Sequence, residues 1–174
     1  LYFEEKLDDD LDEGLTLEQR GAAWGLERML EDRLSMIVAH ERWLVDANFD
    51  KGPRQFFMGV PEPQHSALCK DVREQLHTMM VRHGIGRHTR EERMMLAERD
   101  ISAIAAVLGD KPYLFGDTPK AVDASAFGVL ASCATNFFDT PLSGLVREHT
   151  NLRKYIERIE WRYFGEIVWP AMAA

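Results

Sequence analysis

Between Leu17 and Val45, apolar residues recur at three- and four-residue spacing. Ala22, Leu26, Met29, Leu30, Leu34, Met36, Ile37, Val38, Trp43, Leu44 and Val45 lie on one broad arc, and Arg28, Glu31, Asp32, Ser35, Arg42 and Asp46 lie opposite. This is the period of a helix packed on more than one side. Thr16-Leu17-Glu18-Gln19 opens it with a capping box, in which hydroxyl and amide side chains satisfy end amides reciprocally. Helical spacing returns over residues 64–83, through Leu68, Cys69, Val72, Leu76, Met79 and Met80, and stops at Gly84-Ile85-Gly86. A second capping box, Thr89-Arg90-Glu91-Glu92, opens a helix carrying Met95, Leu96, Ile101, Ile104, Ala105 and Leu108 that ends at Gly109. Residues 121–138 are apolar and interleaved with Ala124, Ser125, Gly128, Ala131 and Ser132, small enough to let backbones approach; this predicts the most buried helix. A short helix to about His149 and another over Asn151–Tyr163 complete the pattern. Residues 47–63 hold Phe49, Phe56, Phe57 and Met58 among five Pro and Gly breakers, and predict a loop. No segment alternates with period two, so the expected fold is all-α, with five or six helices.

Composition narrows the partners. The chain has 174 residues, 45% hydrophobic and 29% charged, enough for one globular domain with a core that needs no disulfide or structural metal. Its net charge is −8, but residues 1–13 hold seven carboxylates against Lys6 alone, so the acidity is concentrated in a segment that reads as a solvated linker. No basic stripe is present, which disfavours nucleic acid as a partner. No apolar run approaches the roughly 20 residues of a bilayer span. Two cysteines, Cys69 and Cys133, fit a reduced, cytoplasmic setting.

The ordered run Leu108-Gly109-Asp110-Lys111-Pro112-Tyr113-Leu114-Phe115-Gly116-Asp117, then Val122-Asp123-Ala124, then Asn151-Leu152-x-x-Tyr155-x-x-Arg158-Ile159, resembles the C-terminal helical domain of glutathione transferases. Gly84-Ile85-Gly86-Arg87-His88-Thr89, the Phe127-Gly128 pair and Glu41-Arg42-Trp43 look most like the failed-axon-connections and metaxin-related branch. The resemblance covers about residues 1–164. It implies a two-domain parent: residues 1–15 would be the end of a thioredoxin-like half plus an acidic linker, and residues 16–174 the helical half. Glutathione would bind mainly to the thioredoxin-like half, which would also carry the residue that activates its sulfur, so no catalytic residue is expected in this chain. The resemblance further implies a homodimer and a small electrophile as cosubstrate, and no metal is expected from the spacing of the His and Cys residues. The alternative within the same branch is a non-catalytic interaction module. One departure stands out. Family members place Ser or Thr three residues before the Asp of the buried helix, where this chain has Lys120, which cannot accept a hydrogen bond.

On the first helix the resemblance places Arg33, Met36, His40 and Trp43 along the cosubstrate pocket. The competing reading makes Arg33 and Glu41 members of buried ion pairs and His40 a satisfied core histidine, since buried charges require partners. Arg87 and His88 suit either an anionic ligand or the terminal carbonyls of the preceding helix, the second being the more economical. Cys69, His77, His83 and His88 match no standard zinc spacing, and Cys69 and Cys133 sit on apolar faces as small hydrophobes. The aromatic loop suits a core cover, a pocket mouth or an interface equally well.

Overall fold

The computed structural model describes Lys6 and residues 10–165. The expected junction with a preceding half, residues 1–7, therefore lies outside the described residues except for Lys6. The described residues are helical, apart from turns and one isolated bridge between Tyr113 and Gly116. Helix α1 (Leu17–Met29) runs through a π-helical turn (Leu30–Leu34) into α2 (Ser35–Trp43). Then come α3 (Asp46–Lys51), a 3₁₀ turn (Pro53–Phe57), α4 (Gln64–His83), a 3₁₀ turn (Ile85–Arg87) and α5 (Arg90–Leu108). Helices α6 (Ala121–Ala134), α7 (Leu142–Arg147) and α8 (Thr150–Phe164) follow.

Both capping boxes form. The Thr16 hydroxyl accepts from the Gln19 amide at 3.2 Å while the Gln19 side chain accepts from the Thr16 amide at 2.9 Å. Thr89 and Glu92 repeat the exchange at 3.2 and 2.9 Å. The stop after α4 needs its glycines for different reasons. Gly84 has φ +116°, a region that side chains rarely adopt, and a Cβ on Gly86 would lie 2.7 Å from the Val81 amide nitrogen. The core is one cluster to which α1, α2, α4, α5, α6, α7 and α8 contribute, with Leu30, Leu34, Met80, Ile104, Leu130, Tyr155 and Ile156 fully buried.

Three details differ from the periodicity. The first helix is not uniform: its π turn adds a residue per turn, and within it the Ser35 hydroxyl donates to the Glu31 carbonyl. Residues 47–63 are not a plain loop, because the breakers stand between short helices rather than inside them. Gly52 ends α3, and Pro53 occupies the first turn of the 3₁₀ segment, where no amide is needed. Helix α6 ends at Ala134, four residues short of Phe138; Thr135 turns extended and its hydroxyl takes the Phe137 amide at 3.1 Å.

The acidic segment is also more engaged than a solvated linker. Asp10 pairs with Arg20. Asp12 accepts the Ala121 amide at 3.1 Å, at the first residue of α6. A carboxylate from a remote part of the chain thus satisfies a free amide at the start of α6, although not the Asp123 amide that a Ser or Thr at position 120 would take. The Lys120 backbone amide still donates to the Asp123 carboxylate at 2.8 Å, the surviving half of the box.

Candidate functional site

The first long helix presents the polar side chains that the pattern singled out. Arg33 lies in the π turn, and its Nε donates to Asp100 Oδ2 of α5 at 2.8 Å, with a second bond from Nη2 to the other carboxylate oxygen. Asp100 is 1% exposed and Arg33 44%, so the guanidinium closes over a buried carboxylate. Desolvation opposes the charge on Arg33, but the Asp100 hydrogen bond outweighs it and holds the guanidinium protonated more firmly than usual. Glu41 is fully buried and is reached by Arg90, whose Nη2 lies 2.7 Å from Oε2. The structural reading of Glu41 therefore holds, and Arg33 is ion-paired as well as accessible.

His40 is half-buried, and its Nδ1 has no hydrogen-bond partner. Desolvation, followed by the positive field of Arg93, pulls its basicity below the ordinary value, against a smaller opposing effect of Glu41. Met36 is half-buried one turn earlier. Trp43 packs at the end of α2 in the aromatic group, with ring centroids 6.2, 6.1 and 6.5 Å from Phe49, Phe56 and Phe57. Arg73 of α4 fastens this end by donating to the Trp43 and Leu44 carbonyls at 3.0 Å each. Arg33, Met36, His40 and Trp43 thus fall on one strip of α1–α2, each with some surface left accessible. None of them lines the four best-formed cavities among the described residues.

Those cavities lie elsewhere. A cleft of about 650 Å³ runs along α4 beside the aromatic turn, with Cys69 in its wall. An apolar groove of about 380 Å³ lies between the start of α6 and the end of α8, bordered by Leu11, Phe127, Tyr163 and Phe164. Cys133 is fully buried, and burial pushes its thiol up to about 12. Among the described residues, no group of three or more His, Cys, Asp or Glu is placed to hold a metal ion. No helix among them is long and apolar enough to cross a membrane. Arg87 donates to the Val81 carbonyl at 2.9 Å, and His88 faces Glu92, so both serve helix ends.

The motif residues of the C-terminal half act as a structural lock. Asp123, 2% exposed, accepts from the Leu114 amide at 3.0 Å and from the Tyr155 hydroxyl at 2.8 Å, as well as from Lys120. Asn151 donates to the Ala105 and Gly109 carbonyls at 2.9 and 3.0 Å, closing the end of α5. Arg158 donates to the Pro112 carbonyl at 2.8 Å. The connection 109–120 is thereby pinned to α5, α6 and α8.

Sequence reasoning did not single out Asp100, Arg90 or Arg93. Asp100 was detectable in principle, since it stands on the apolar face of α5 among Ala97, Ile101 and Ile104. Arg90 owes its role to Glu41, and Arg93 acts on His40, both distant in sequence.

Residues 97–159 match the family model for the glutathione S-transferase C-terminal domain. The chain is 28% identical over 164 residues to isoprene-epoxide–glutathione S-transferase of Rhodococcus sp. (strain AD45), a match covering 93% of this chain and 69% of that protein. It is 32% identical over 136 residues to Failed axon connections of Drosophila melanogaster, covering 72% of this chain and 32% of the relative. It is 28% identical over 107 residues to metaxin-2 of Homo sapiens, covering 61% and 41%. The chain thus spans about two thirds of the first relative and well under half of the other two. No solved structure matches it. An all-helical bundle, a family model seated on the α5–α8 lock and relatives of these three kinds make the chain a C-terminal helical domain of the glutathione S-transferase superfamily, in its failed-axon-connections and metaxin branch.

Proposed function

We propose that this domain is the helical half of a glutathione S-transferase-like enzyme, in which it forms one wall of the pocket for an electrophilic cosubstrate. The observation that carries this reading is the match to isoprene-epoxide–glutathione S-transferase, which runs through nearly the whole chain. The strip Arg33, Met36, His40 and Trp43 supports it: it joins an anchored cation, a thioether, a weakly basic imidazole and an aromatic ring on an accessible helix face. Arg33 lies in a π turn, a device enriched at functional sites. In this reading a glutathione-binding half contributed by the parent protein supplies and activates the thiol, whose sulfur bonds to the electrophilic carbon as that carbon's leaving bond breaks. The helical wall holds the electrophile in line and excludes water. Arg33 retains guanidinium donors not used by Asp100, and His40, disinclined to charge, offers a neutral hydrogen-bonding edge. The working form is a cytoplasmic homodimer.

A second reading, a non-catalytic interaction module, draws on the match to Failed axon connections, which has the higher identity. Protein containing both halves separates the two when assayed with glutathione and a generic electrophile such as a halonitrobenzene. Conjugate formation above the uncatalysed rate is expected for the enzyme. Absence of turnover from folded protein that still binds glutathione, or that binds only a protein partner, overturns the enzymatic reading.

A further inference from the structure

Cys69 was set aside in the sequence as a small hydrophobe on an apolar face, and its surroundings alter that reading. It stands on α4 in the wall of the cleft of about 650 Å³, one turn from His65. The sulfur lies 3.7 Å from His65 Nε2, and His65 Nδ1 lies 3.3 Å from Glu62 Oε1. Ser66 donates to Glu62, and this bond, chiefly, holds the Glu62 carboxyl below its ordinary value, so it is an acceptor only. An ionised carboxylate facing Nδ1 requires the ring proton on that nitrogen, which leaves Nε2 as the acceptor toward the thiol. A thiol, a base in the correct tautomer and an orienting carboxylate are thus in series. Cys69 is 3% exposed, its opening being the cleft, whereas Cys133, the chain's other cysteine, is 0% exposed with its thiol pushed up to about 12, and no imidazole among the described residues is placed against it.

We propose that Cys69, with His65 as its base and Glu62 as the positioning residue, is a reactive thiol site for small soft electrophiles that enter the α4 cleft. It is independent of glutathione and of any other domain. In the step, Sγ bonds to the electrophilic carbon while the leaving group departs with the electron pair of its bond, and the thiol proton passes to His65 Nε2 and on to solvent. The other ionisable side chains lining the cleft are Arg54, Lys70, Arg73, Glu74 and His77. Arg54 is held by Asp50, Lys70 by Glu74 and Arg73 by Asp46, and the imidazole placed against the thiol is that of His65, at 3.7 Å.

The test is alkylation of the native chain by iodoacetamide, with the adduct located by peptide mass spectrometry and the rate followed from pH 6 to 9. Cys69 is expected to be alkylated and Cys133 spared. His65→Gln is expected to slow Cys69 by about tenfold or more at pH 7, with the deficit closing as the pH rises and an unassisted thiol ionises. A merely structural role for His65 would not produce that pH-dependent convergence. If His65→Gln lowers helicity, Glu62→Ala at the exposed rim carries the same expectation with a smaller factor. Equal labelling of the two cysteines, or rate profiles that superimpose for the parent chain and for the folded variant, would overturn the proposal.

Discussion

Asp123 shows how much of this bundle rests on single polar atoms. Its carboxylate accepts from two amides and a phenol, and burial raises the Tyr155 phenol well above its usual range, so that phenol stays a donor. Removing the acceptor orphans buried donors, each costing more than the net worth of one hydrogen bond. Asp123→Ala should therefore destabilise the chain by about 3–5 kcal/mol, read from urea unfolding, and Asp123→Asn, which keeps one acceptor oxygen, by about half as much. His40 yields a prediction of a different kind. Its basicity is depressed in the folded state by desolvation and by Arg93, with His77 adding and Glu41 opposing. The folded chain therefore holds fewer protons at this site than the unfolded chain once the pH falls below the ordinary value of 6.5. The stability contribution is complete above that pH and is lost as the pH falls toward the folded-state value. Equilibrium unfolding at stepped pH should show this acid loss reduced in His40→Gln. At this scale the sequence was informative where a charge sat on an apolar face: Arg33, His40 and Glu41 were visible because burying them is costly. Their partners Asp100 and Arg90 come from another helix, and helical periodicity carries no information on which helices meet.

Among the elements, the clearest sequence signals were local ones. The boxes at Thr16 and Thr89 form as read, because every atom they need lies within four residues. The start of α6 was half legible. Lys120 does remove the hydroxyl acceptor, but Asp12 supplies a carboxylate to Ala121, and the Lys120 ammonium reaches the Glu13 carbonyl. That contact, to a different amide of the same helix start, spans 109 residues of sequence. It makes the stability of α6 depend on the acidic segment. Asp12→Ala is expected to cost about 1 kcal/mol, and Lys120→Thr, which restores a local cap, should reduce that cost. A double-mutant cycle by thermal or urea unfolding reads the coupling; strictly additive effects would contradict the shared-cap account. The aromatic stretch misled for an opposite reason. Gly52 and Pro53 were read as breaking a helix, whereas they mark the joint between two short ones, and spacing alone does not distinguish the two cases.

For the molecule as a whole, the helical architecture and the superfamily follow from the pattern and the motif run, while the site remains partial. The strip from Arg33 to Trp43 is accessible, yet it lies outside the four best-formed cavities among the described residues. In the proposed enzymatic reading the strip is one wall, and a second surface completes the pocket. That surface was not legible here, because nothing in a helix's own periodicity describes what closes over its open face. The most direct test is saturation kinetics on protein containing both halves, with electrophile and glutathione varied in turn, for the parent protein and for His40→Ala. The account predicts that the variant raises the KM for the electrophile about three- to tenfold, the loss of roughly 1 kcal/mol of pocket contact, while the KM for glutathione is unchanged. An unaltered electrophile KM, or a change confined to glutathione, would contradict it.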